Sequence, residues 1–81
     1  MFKSEEDLYF KVNQVVNTLI ANGDSELAKP LKDSLIISNI KGEIFGEIRL
    51  RASELLKNPI SQQLQIQNDL RDIVDSLNNI L

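Results

Sequence analysis

The chain has 81 residues, 42% hydrophobic and 26% charged, the mixture of one small folded domain with no room for a second core. Nine Lys and Arg against twelve Asp and Glu leave a net charge of -3, the wrong balance for a general nucleic-acid binder. There is no Cys and no His, which excludes disulfide scaffolds, thiolate zinc sites, Cys or His nucleophiles and histidine pH switches.

The start, Met1-Phe2-Lys3-Ser4-Glu5-Glu6-Asp7, turns acidic at once, so no secretory signal is expected. No stretch approaches the roughly 20 apolar residues of a membrane span. The expectation is a soluble, cytoplasmic protein. Its small core would leave a partner, or a second copy, room to add stability.

Leu8, Val12, Val15, Val16 and Leu19 recur at the offsets of one helical face and predict a first helix over 5–22. Ser4 and Asp7 make a capping-box-like start, Glu5 and Glu6 suit the positive end of the helix dipole, and Asn22-Gly23 supplies the stop. A second helix over 25–37 puts Leu27, Ala28, Leu31 and Leu35 on one face, with Pro30 expected to loosen or kink it near Glu26. A third over 40–57 carries Ile44, Phe45, Ile48, Ala52, Leu55 and Leu56.

Residues Glu43 to Leu50 also alternate, and Lys41-Gly42 could turn a hairpin after Leu35-Ile36-Ile37. The alternative is therefore an α+β fold with a hairpin around 35–50. Helix is preferred because the apolar spacing persists through Leu55 and Leu56, well past a normal strand. Asn58-Pro59 breaks the chain before a fourth helix over 61–80, capped by Ser61 and striped by Ile66, Leu70, Ile73, Val74, Leu77, Ile80 and Leu81. Four amphipathic helices on short connections predict an all-α fold, a compact up-and-down bundle over residues 1–81.

Acid–base work by paired carboxylates is the one common enzymatic device that the composition leaves open. Glu43, Glu47 and Glu54 fall within about 40° of each other around a helix, beside the apolar face rather than in a cleft. A solvated face with Arg51 and Lys57 nearby is the preferred reading. Asp69, Asp72 and Asp75 form a broader acidic edge, and neither set has the spacing of a calcium loop. No phosphate-binding glycine loop is present. Gly42 and Gly46, with Ser53 near the same line, suit a close backbone approach, and packing inside the bundle is preferred to an outside partner. Arg49 and Arg51 point about 160° apart on a helix, which argues against a recognition helix. No catalytic residue, cofactor or metal is expected. Phe10 and Leu50 fall off the buried faces of their helices and become candidate apolar anchors.

The stretch Leu27-Ala28-Lys29-Pro30-Leu31-Lys32-Asp33-Ser34-Leu35, then Lys41-Gly42-Glu43-Ile44, Ile48-Arg49 and Leu55-Leu56-Lys57, resembles a group of small bacterial helical proteins. These carry a Gly-x-Glu-Ile or Gly-Glu-Ile segment, a Leu-Arg-like pair and a Leu-Leu-Lys helix end. Some are immunity-like companions of secreted toxins. The resemblance runs from about Leu27 to Lys57, less than half the chain, and Pro30 departs from it. It implies an all-helical fold and, as a role, immunity.

The expected function is a non-enzymatic protein-binding module that covers a partner's basic site with an acidic helical surface. Glu43, Glu47 and Glu54 would steer the encounter, and Leu50 or Phe10 would anchor it. The partner would be another protein, a toxin if the immunity-like resemblance holds, with no nucleic acid and no membrane involved. The alternative is a self-associating structural or regulatory protein, pairing through the fourth helix or the Gly42–Gly46 face.

Overall fold

A computed structural model describes residues 4–80; Met1 to Lys3 and Leu81, part of the expected fourth stripe, lie outside the described residues. The first helix, α1 (Glu5–Ala21), starts as expected, with the Ser4 hydroxyl oxygen accepting the Asp7 N–H at 3.3 Å. It closes through two backbone bonds, Asp24 N–H to the Leu19 carbonyl at 2.8 Å and Gly23 N–H to the Ile20 carbonyl at 3.0 Å. That closure requires a left-handed residue, and Gly23 supplies it at φ +83°.

The second helix, α2 (Ser25–Ser34), contains Pro30 without being ended by it. It stops three residues before the expected end at Ile37. The Leu35 and Ile36 N–H groups donate back to the Lys32 and Asp33 carbonyls, the tighter bonds of a closing turn. Ser34, buried, turns its hydroxyl onto the Leu31 carbonyl. Beyond that point Ile36 and Ile37 face solvent, so nothing buried rewards another turn.

The third helix, α3 (Lys41–Lys57), covers the stretch where a hairpin was the alternative, and no strand occurs among the described residues. The choice follows from burial. Phe45, Ile48, Ala52 and Leu55 share one helical face and are all buried. A strand would have set Phe45 on the same side as Glu43, Glu47 and Arg49, leaving the ring among charges.

The expected fourth helix is two. A single turn, α4 (Ile60–Gln63), is followed by α5 (Gln67–Ile80), and the break is a left-handed residue that is not glycine, Gln65 at φ +57°. Gln65 N–H donates to the Gln62 carbonyl at 3.2 Å and Ile66 N–H to the Ser61 carbonyl at 3.0 Å, the same closure that Gly23 makes in α1. The break lets Ile60 of α4 and Leu64 just after it pack on the core while Ile66 is buried ahead of α5. Ser61 is not the cap. It is buried within α4 and its hydroxyl donates to the Asn58 carbonyl at 2.9 Å, while the Asn58 side-chain oxygen accepts the Ile60 N–H at 3.0 Å.

The long helices close a ring in chain order, α1 on α2, α2 on α3, α3 on α5 and α5 back on α1, with α4 tucked against α3. Leu8, Val12 and Leu19 of α1, Leu31 of α2, Ile48 of α3 and Leu70, Ile73 and Leu77 of α5 meet at its centre. The radius of gyration, 11.5 Å, matches the roughly 12 Å of a compact chain of this length. Across the ring, the Tyr9 and Phe45 rings sit 6.2 Å apart and Lys41 meets Glu5 at 2.6 Å, so the first turns of α1 and α3 lie side by side. Among the described residues, no helix is long and apolar enough to cross a membrane.

Candidate docking surface

Because α3 buries the stripe Phe45–Ile48–Ala52–Leu55, the turn geometry sends Glu43, Gly46, Glu47, Leu50, Glu54 and Lys57 outward, within roughly 100° of one another. Four of the five residues expected to bind a partner therefore share one face. Phe10 does not join them. It is 64% exposed on α1, whose main neighbours are α2 and α5, and exposed Asn13, Gln14 and Asn17 surround it along the helix.

The charges on the α3 face are arranged in a way that the spacing of acids alone does not convey. Arg51 reaches Glu47 at 3.3 Å and Glu54 at 2.8 Å, so one guanidinium offsets two of the three carboxylates. These pairs lie near solvent, and each contributes only tenths of a kcal/mol by the usual ~0.3–0.5 kcal/mol for helical neighbours. Glu43, one turn into the helix, has no ion pair among the described residues; nor does Lys57 at its far end. Half-exposed Leu50 lies midway between them. The surface is thus not uniformly acidic but carries one free charge of each sign, with a leucine between.

The two other basic groups of α3 leave this face. Lys41 is held by Glu5, whose hydrogen bond first and negative charge second raise the lysine pKa above its ordinary value. Arg49 turns toward α5 and donates to the Asn78 side-chain oxygen at 3.3 Å. The acidic edge on α5 is also partly engaged, with Asp69 paired to Lys11 at 3.3 Å. Among the described residues no three acidic side chains gather as a metal ion would need.

Packing inside the bundle, the preferred role for Gly42 and Gly46, is not what the structure shows. A Cβ placed on either glycine would meet nothing within 4 Å, so the pair faces open space. Ser53, expected near the same line, turns its hydroxyl back to the Arg49 carbonyl at 2.8 Å. A helical glycine costs roughly 1 kcal/mol relative to alanine, and no internal contact of these two offsets it.

A larger apolar feature lies outside the residues to which the helical periods pointed. Ile36, Ile37 and Ile40, in the loop between α2 and α3, are 82%, 55% and 61% exposed. A shallow groove lined by Ile37, Glu43, Gly46 and Glu47 joins this loop to the α3 face. The available signal was Leu35-Ile36-Ile37, an apolar run with no helical period just before a helix start. A second groove opens between α2 and the C-terminal half of α3, lined by Leu27, Pro30, Leu31, Arg51, Glu54 and Leu55. No family model, no curated protein and no solved structure matches this chain.

Proposed function

We propose that the chain is a non-enzymatic protein-docking module whose working surface is the outward face of α3 together with the isoleucine loop that precedes it. One observation carries this reading: exposed Ile37 lines a groove with Glu43, Gly46 and Glu47 of the α3 face, on which Leu50 is also exposed, while Ile36 and Ile40, both exposed, flank Ile37 in the chain. Single exposed apolar side chains are ordinary, but a cluster of them rimmed by charge is how interface centres are built. The carboxylates of the face stand in water or against Arg51, whereas acid–base catalysis calls for a desolvated group beside a cleft.

In the immunity-like form of this reading, the Glu43 end of the face covers a basic site on a toxin. Glu43 then carries the steering charge, since Arg51 already offsets Glu47 and Glu54, and the apolar side chains hold the complex together. Calorimetric titration of the neighbouring gene's product into the purified protein tests this. Leu50→Asp is expected to weaken binding at least about tenfold, or roughly 1.4 kcal/mol, while Phe10→Ser leaves it unchanged. Loss of binding with the Phe10 variant and not with the Leu50 variant would move the docking surface to α1.

A further inference from the structure

We infer that the occupant of the α3 face is a second copy of this chain, docked antiparallel along α3 with Leu50 on the twofold axis; this rests on the docking reading above. Glu43 and Lys57 stand on the two sides of Leu50, each seven residues or two helical turns from it, and share its outward stripe to within about 40°. In an antiparallel pair centred on Leu50, residues equidistant from it face each other. Glu43 then meets Lys57 of the second copy, and the symmetry repeats the pair at the other end. These are the two charges of the face that have no ion pair among the described residues. A parallel pair would set like against like at both ends. A uniformly basic partner would satisfy Glu43 and repel Lys57.

The apolar parts obey the same symmetry. A twofold axis across α3 keeps the α2 sides of both copies together and reverses their ends. The Ile36–Ile37 loop, at the N-terminal end of α3, is thereby brought to the C-terminal half of the other α3. That is where the groove between α2 and α3 opens, with Leu27, Pro30, Leu31 and Leu55 on its walls beside the charged Glu26 and Arg51. Projection and groove thus lie on one chain, at opposite ends of one helix, as an isologous interface demands. Gly46 comes opposite Glu54 of the second copy, and its missing side chain leaves room for the Glu54–Arg51 pair.

Sedimentation equilibrium from micromolar to millimolar protein, at low and high salt, tests the pairing. The expected result is a monomer–dimer equilibrium that Leu50→Asp drives to monomer. Glu43→Lys alone and Lys57→Glu alone should each weaken the dimer by roughly fivefold, and the double reversal should restore it. All these positions are at the surface, and circular dichroism checks that each variant folds. A monomer throughout the range overturns the pairing, as does a dimer that the double reversal fails to restore. A monomer that still loses the neighbouring gene's product on Leu50→Asp overturns the pairing alone and leaves the docking face in place.

Discussion

Ser76 on α5 is buried, and its hydroxyl has no partner among the described residues. An orphaned hydroxyl gives up its water for nothing, so Ser76→Ala is expected to stabilise the fold by about 1 kcal/mol. Urea unfolding reads this directly, and the melting temperature should rise by about 5 °C for a domain of this size. Gln65 has a related cost in its backbone. A side chain in the left-handed region is strained, and Gln65→Gly should add about 0.5–1 kcal/mol after the extra freedom that glycine brings to the unfolded chain. A loss of stability in that variant would mean that the Gln65 side chain contributes a contact outweighing the strain.

At the scale of the helices, α1 and α3 were legible because two kinds of signal agreed. In α1 the apolar period was bounded by Ser4 and by Asn22-Gly23, and both ends close as those residues dictate. In α3 only a helix buries Phe45 with Ile48 and Leu55. The ends of α2 and α4 were illegible for physical reasons. Ile36 and Ile37 signal burial by composition but stand in water. The turn at Gln65 is of a kind that usually announces itself with glycine, so the apolar stripe read on through it.

The outward set Glu43, Glu47, Leu50 and Glu54, with Arg51 in reach of Glu47 and Glu54, followed from the period of α3, whereas the exposure of the isoleucine loop depends on where α2 stops in the folded chain. Gly46 offers a test at this scale. Its Cβ would meet nothing, so Gly46→Ala should stabilise the isolated fold by about 1 kcal/mol through helix propensity alone. The same substitution should weaken docking at the α3 face, a divergence that unfolding and binding measurements together would register.

For the whole molecule, the ring of helices buries its apolar side chains centrally and leaves unlike exposed surfaces, among them Phe10 on α1 and the α3 face with Leu50 and the groove at Ile37. With no His and no Cys, no side chain has an ordinary pKa between about pH 5 and 8, so stability should be nearly flat from about pH 6 to 9. The pair that joins the first turns of α1 and α3 sets an alkaline limit. Glu5 raises the Lys41 pKa in the folded state, so the pair's contribution is complete below the ordinary value of 10.5 and is lost as pH rises through the raised value. Lys41→Met should flatten that alkaline decline, as denaturation at stepped pH would show.

Of these surfaces, the α3 face and not the α1 face becomes covered when the chain pairs. NMR of the methyl and aromatic-ring signals with a soluble nitroxide, recorded on dilute and then concentrated protein, tests this. The Leu50 and Ile37 methyls are expected to be bleached when dilute and shielded when concentrated, while the Phe10 ring stays bleached in both. Equal bleaching of Leu50 and Phe10 at every concentration would contradict it.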